Sequence, residues 1–296
     1  MINPKLANKI ATGVIYGLVL VVIAILAALI GYILVTGVPH ISWHFLTTQS
    51  QSFLAGGGIR DQLFNSIYLL VLTLIISFPI ALGAGIYLAE YAPKNWITEI
   101  IKTTIEVLSS LPSVVVGLFC YLVFVVQMKI GFSILSGAIA LTFFNLPLLT
   151  RNIETSVESI SDLQREAGLS LGLSQWKTIT GIILPASVPG IITGIILSAG
   201  RVFGEAAALI YTAGQSAPFV DYSNWNIFSD TSFLNPLRPA ETLAVHIWKV
   251  NSEGITPDAN AISSGSSAVL IIVILLFNVL AHWIGNRLYK KMTSSK

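Results

Sequence analysis

Arg165-Glu166-Ala167-Gly168-Leu169-Ser170-Leu171-Gly172, followed after nine residues by Ile182-Ile183-Leu184-Pro185, joins a polar stretch to a long apolar run. Glu158, Asp162 and Glu166 recur at helical intervals, which places them on one polar face. Gly172 ends this short helical stretch, because glycine takes the φ > 0 conformation that closes a helix without a Cβ penalty. Leu173-Ser174-Gln175-Trp176 then opens a second short helix. The pattern predicts a helix–turn–helix elbow within a polar loop of about 151–185, continuous with apolar segments on both sides.

Those flanking segments set the fold class. Of 296 residues, 54% are hydrophobic and 10% are charged. An average soluble domain carries roughly 25% charged residues, so a water-facing exterior is excluded. Helices span lipid because they satisfy their own backbone hydrogen bonds, and a span needs roughly 20 mostly apolar residues. Six segments qualify, at about 14–36, 63–89, 106–128, 131–150, 183–211 and 266–288. Lys129 and Arg151 bracket the fourth so closely that it forms a tight hairpin with the third. The apolar part of the first, Val14 to Val35, exceeds the 7–15 residues usual in a cleaved signal and reads as a retained helix.

Eleven of the 16 Lys and Arg residues fall on the side of both termini, four on the other and one inside a span. That bias puts both termini in the cytoplasm. The expected organisation is a cytoplasmic N-terminus at 1–13, an all-α transmembrane domain at 14–289 and a cytoplasmic tail at 290–296. The outer loops run at 37–62 and 212–265. The second holds a short amphipathic helix over 240–250, with Leu243, Ile247 and Val250 on one face and Trp248 suited to a membrane interface. A net charge of +2 does not point to nucleic acid.

Several polar residues stand out against this background. Arg201 and Glu205, four apart within the fifth span, would share a helix face and neutralise each other. A charge near mid-membrane costs roughly 2.5–3.5 kcal/mol on insertion scales and usually faces the bundle interior or an aqueous cavity. An Arg fork suits a phosphate oxygen pair, so Arg201 is a candidate for lining a solute path. Glu205 could accept the proton that phosphate retains near neutral pH. Pro79, Pro112, Pro147, Pro185 and Pro189, in or beside spans, read first as simple bundle curvature; the sharper reading is that Ser109-Ser110-Leu111-Pro112-Ser113 breaks a helix beside such a path. Asn145 and Thr142 are placed to hydrogen-bond between helices or to face a pore. His40 and His44 have helical ligand spacing but no third ligand, so no metal site is expected. Cys120 reads as packing, and Glu90, Glu99 and Glu106 as cytoplasmic surface between the second and third spans. No Gly-x-x-x-x-Gly-Lys-Ser/Thr occurs, and Gly56-Gly57-Gly58 lacks the Lys that would cradle phosphates.

The elbow resembles the EAA motif of binding-protein-dependent ABC importer permeases. Glu166, Ala167, Gly172, Ile182, Leu184 and Pro185 match that motif in register, and Gly168 stands where its second Ala would be. Gly57-Gly58-Ile59, Ala89-Glu90-Tyr91-Ala92-Pro93, Leu111–Phe119 and Gly200–Ala207 further resemble the phosphate permeases of the PstA type. Where those permeases often continue Glu-Thr-Ala-Pro, this chain has Glu205-Ala206-Ala207-Ala208. The resemblance implies a type I (MetI-like) permease fold in the bacterial cytoplasmic (inner) membrane. It implies partners: a second permease (PstC-like), two ATPase subunits (PstB-like) that use ATP and Mg, and a phosphate-binding protein (PstS-like). This chain would bind no cofactor and catalyse nothing itself. Glu166, Ala167, Gly168, Gly172, Leu184 and Pro185 would couple to the ATPase, and Arg201, Glu205, Asn145 and Ser113 would line the substrate path. Competing expectations are another cargo (sulfate, molybdate, phosphonate or a polyamine), an ATPase-independent secondary transporter, and a scaffold protein.

Overall fold

The computed structural model describes residues 4–51, 53–216 and 218–293, so the extreme ends of both expected tails, Lys296 included, lie outside the described residues. Among the described residues there is no strand, only a one-residue bridge between Asp221 and Ser232. The Lys and Arg bias gives the two ends of the bundle their labels, cytoplasmic and outer.

Helix α1 (Pro4–Gly37) is apolar on every face from Ile10 onward, and its residues 10–30 are exposed, while its outer end packs. There it crosses the last helix so closely that a Cβ on Gly37 would stand 2.2 Å from the Ser264 carbonyl oxygen. A short 3-10 turn and α2 (Trp43–Thr47) lead to α3 (Arg60–Ile86), which ends in a π-helical turn, Tyr87–Tyr91. Next come α4 (Trp96–Ser109) and α5 (Ser113–Cys120), the latter running into a π-helical stretch to Gln127. Then α6 (Ile134–Glu158) returns to the cytoplasmic side. The elbow holds α7 (Asp162–Ser170) and α8 (Gln175–Thr178). A π turn joins α8 to α9 (Leu184–Gly204), and α10 (Ala207–Thr212) follows a break. The outer strap, 218–253, ends in α11 (Leu243–Glu253), and α12 (Ala259–Thr293) closes the bundle.

Among the described residues, five helical stretches, 8–40, 60–91, 134–158, 175–204 and 259–293, are long and apolar enough to cross a membrane. The sixth expected span, about 106–128, is not one straight helix: it falls within a pair, 96–109 and 113–127, bent by 96°, which makes a sixth span only if the pair counts as one. Pro112 causes this, because its ring cannot continue the helix and it biases Leu111 away from the helical region. The 15 residues of 113–127 rise only about 22 Å, short of the ~30 Å hydrocarbon core. The expected span at 183–211 is also broken, starting at 175 and stopping at Gly204.

The core sits between α3, α6, α9 and α12. Small residues allow the close packing: Gly85 of α3 lies against Ile153, and Gly285 of α12 lies against Ile192. The free Cys120 is buried, as a packing residue should be. In the outer loop, α11 covers 243–253, with Leu243 and Val250 buried against Phe45, Ile59 and Ile262, and Trp248 exposed.

Candidate functional site

Three polar clusters lie along the bundle axis. The first is the elbow. Ser161 and Ser174 cap α7 and α8 with their side-chain oxygens. Gly172 has φ +78°, and two backbone bonds close α7 around it: Gly172 N–H to Leu169 C=O at 2.9 Å and Leu173 N–H to Gly168 C=O at 3.2 Å. That pair of bonds is the Schellman ending that a glycine at this position permits. Gly168 is buried, and a Cβ there would approach Thr178 Cγ2 to 2.7 Å, so glycine suits the tight α7–α8 crossing. Leu184 and Pro185 open α9 directly after the π turn 179–183.

Two readings of the elbow change. The second helix is not separate, since α8 runs through the π turn 179–183 into α9 as one stretch, 175–204. Glu158, Asp162 and Glu166 do not share one helical face, because Glu158 ends α6 and Asp162 opens α7. Glu158 pairs with Lys102 at 3.0 Å and Asp162 with Arg165 at 3.1 Å, which leaves Glu166 and Ala167 exposed. Beside them Leu163, Leu169, Leu171 and Trp176 present apolar side chains to the outside of the chain.

Glu90 is corrected from surface residue to anchor. Its side chain is 7% exposed, and Oε1 meets Arg165 Nη2 at 2.8 Å and Nε at 2.9 Å. That hydrogen bond, helped by the Glu90 and Asp162 charges and opposed by burial, lifts the Arg165 guanidinium above its ordinary pKa. Glu99 and Glu106 are exposed as expected, although Glu106 reaches Arg151 at 3.5 Å. Between α4 and α6 the fully buried Glu154 binds Lys102 at 2.6 Å and Arg151 at 3.0 Å.

The second cluster lies deeper, where α4 and α9 both break. Arg201, in the last turn of α9, is partly exposed and stacks over the Phe144 ring at 3.5 Å. Its Nη2 donates to the Ser109 carbonyl at 3.5 Å, beside the break that precedes the half-exposed Ser113. The expected Arg201–Glu205 pair on one helix face is corrected. Glu205 lies past the end of α9 in extended backbone (φ −76°, ψ 123°), and among the described residues no ion pair joins the two. Glu205 is buried and accepts the Ala208 N–H at 3.0 Å, capping α10. Asn145 does link helices, donating to Ser198 of α9, and its Oδ1 has no protein partner. Thr142 instead bonds Ala138 within its own helix.

The third cluster, on the outer side, was missed. Gln62 donates to Glu241 Oε2 at 2.8 Å, Asn65 to the Glu241 carbonyl at 3.0 Å, and Tyr222 to Asp61 Oδ1 at 2.9 Å. The buried Arg238 donates to Asn65 Oδ1 at 2.7 Å, and Ser66 Oγ accepts the Leu243 N–H at 2.8 Å. These bonds fasten the strap to the outer end of α3. The signal was present: Asp61, Gln62, Asn65 and Ser66 have the spacing of one helix face. His40 and His44 are exposed and line a surface pocket with Asp258, but no group of three ligands among the described residues could hold a metal ion.

Glu241 gives the strap a pH dependence. Burial pushes its carboxyl up, but His246, Gln62 and Lys249 together outweigh burial and hold it below the ordinary value of 4.5. A carboxyl depressed on folding contributes stability above its unfolded pKa, which is lost as pH falls through the folded value. Backbone hydrogen exchange over 240–250, corrected for intrinsic rate, is therefore expected to stay slow from neutrality to about pH 5 and to quicken below about pH 4. Glu241→Gln should flatten that acid dependence; an unchanged dependence in the variant would refute the assignment.

A family model described as the binding-protein-dependent transport system inner membrane component matches residues 81–294. The probable ABC transporter permease protein YqgI of Bacillus subtilis (strain 168) is 52% identical over 294 residues, 99% of this chain and 100% of that protein. The phosphate transport system permease protein PstA of Yersinia pestis is 37% identical over 229 residues, 77% of this chain and 72% of that one. Among solved structures, a chain of the inward-facing MetNI methionine ABC transporter gives a TM-score of 0.53 at 14% identity, covering 80% of this chain and 94% of its own. A chain of the bacterial alginate ABC transporter, in complex with an alginate pentasaccharide-bound periplasmic protein, gives 0.61 at 15%, covering 97% and 95%. Both support the MetI-type permease fold. The elbow with its Schellman glycine, the broken spans and the match over 81–294 lead to one conclusion: this chain belongs to the family of binding-protein-dependent ABC importer permeases.

Proposed function

We propose that the chain is the PstA-type permease subunit of an ATP-driven phosphate importer, forming half of the translocation path. Membership of the family already implies an ATPase and a substrate-binding protein as partners. The finer reading names a PstC-like second permease, two PstB-like ATPases using ATP and Mg, and a PstS-like phosphate-binding protein. The observation that carries the cargo is Arg201: a guanidinium within the bundle, partly exposed, whose close contacts are a ring face and one carbonyl, with the Glu205 carboxylate acting on it only from beyond ion-pair distance. It keeps donors and charge for an anion, and it lies beside two helix breaks. Ser113 and Asn145 complete the proposed path; Glu205 serves it by capping α10 and so fixing the bend next to Arg201. On the cytoplasmic side Glu166, Ala167 and the apolar ring of Leu163, Leu169, Leu171 and Trp176 suit a groove on the ATPase. Gly168, Gly172, Leu184 and Pro185 shape that surface.

The test is uptake of labelled phosphate by proteoliposomes holding both permeases and the ATPases, with the binding protein outside. ATP-dependent uptake, insensitive to excess sulfate, is the expected result. Phosphate movement by this chain alone would refute coupling, and equal uptake of sulfate would refute the cargo.

A further inference from the structure

The elbow is covalently continuous with α6 on one side and with α8–α9 on the other, so motion imposed on it reaches those spans directly. Span 60–91 has no such connection, yet the elbow holds it. One guanidinium, that of Arg165, meets Glu90 at 2.8 Å while donating to the Val157 carbonyl at 2.9 Å and to the Ile160 carbonyl. It thus joins α7 and the end of α6 to the end of span 60–91. Gln175 of α8 adds a bond to the Glu90 carbonyl at 3.0 Å. Glu90 itself sits in the π-helical turn 87–91, a geometry that is uncommon and frequent at functional sites. At the other end of the same span, Gln62, Asn65 and Ser66 hold Glu241 and Leu243 of the outer strap.

We propose that span 60–91 is a transmission rod, gripped by the elbow through Glu90 and fastened to the outer strap through Gln62, Asn65 and Ser66, so that ATP-driven movement of the elbow reaches the outer face. The 32 residues make a rod about 48 Å long. Its cytoplasmic end is packed closely on α6, where a Cβ on Gly85 would come within 2.7 Å of Ile153 Cγ2, and Pro79 lies within the helix without ending it. A tie at one end alone would fix the elbow; ties at both ends of one close-packed helix move the strap when the elbow moves. Glu90, Arg165 and Gln175 are then positioning residues.

This inference rests on the proposed ATP-coupled importer and is tested in the complete assembly. Glu90→Gln, Arg165→Gln and the double variant are compared for phosphate taken up per ATP hydrolysed and for hydrogen exchange over 240–246 with and without ATP. Each single variant is expected to lower uptake per ATP by about tenfold, with the ATPase still attached. The double is expected to be no worse than the poorer single, since the two side chains act as one link. The ATP-dependent change in exchange over 240–246 should disappear in all three. Unchanged coupling, losses that multiply in the double, loss of the assembled complex, or an exchange response that persists in the variants would overturn the proposal. The exchange readout needs no cargo: if the unaltered importer moves no phosphate but its strap still responds to ATP through Glu90, the cargo assignment fails and the rod stands.

Discussion

Arg201→Gln is expected to lower phosphate uptake by about a hundredfold while leaving the importer assembled. Gln keeps an amide donor but loses the positive charge and the planar fork that fits two oxygens of one anion. Hydrogen bonds to charged groups contribute about 1.5–3 kcal/mol each, and 1.4 kcal/mol is a factor of ten, so losing this pairing accounts for the expected fall. The alternative role is packing, through the Phe144 ring at 3.5 Å. A cation over a ring contributes about 0.5–2 kcal/mol, enough to loosen the α6–α9 contact but not to remove uptake alone. The two roles separate cleanly. Uptake of phosphate and recovery of the assembled complex are measured together. Lost uptake with normal assembly supports the path, normal uptake eliminates it, and lost assembly favours packing. Arg201→Lys should be intermediate, because it restores charge without the fork.

The elbow was legible because its signals are local. Gly172 needs no partner to reveal a left-handed turn, and Ser161 and Ser174 cap by reaching two or three residues along the chain. The break at Pro112 was legible for the same reason, although its 96° bend was not, since the angle depends on what α4 and α5 pack against. The Arg201–Glu205 pair misled because four-residue spacing implies a shared face only while the helix continues, and α9 stops at Gly204. Glu90 was misread because an isolated carboxylate near a membrane boundary usually meets water, and its partner lies 75 residues away. The outer network joins α3 to residues more than 160 positions later, so only its polar stripe at 61, 62, 65 and 66 could be seen beforehand.

Gly172→Val is expected to cut both ATPase attachment and uptake at least tenfold, whereas Gly172→Asn should retain most of each. At φ +78° the residue lies in the left-handed region, with nothing within 4 Å of where a Cβ would stand. Space therefore does not oppose a side chain; backbone conformation does. An L-residue in that region costs roughly 1–2 kcal/mol, more for a β-branched one, whereas Asn visits it readily. Valine would relieve the strain by unwinding the turn. That breaks the bonds from Gly172 and Leu173 to Leu169 and Gly168 and releases the last turn of α7. Leu169 lies in that turn and Leu171 just past it, both exposed, so the apolar surface offered to the ATPase would lose its shape. The measurement is co-purification of the ATPase with each variant, with uptake in the same membranes. Equal loss in the Asn and Val variants would implicate the bare glycine surface instead of the turn. Normal attachment in the Val variant would remove the elbow from the coupling path, because a β-branched residue strains this ending directly while the open space around it accepts the added bulk.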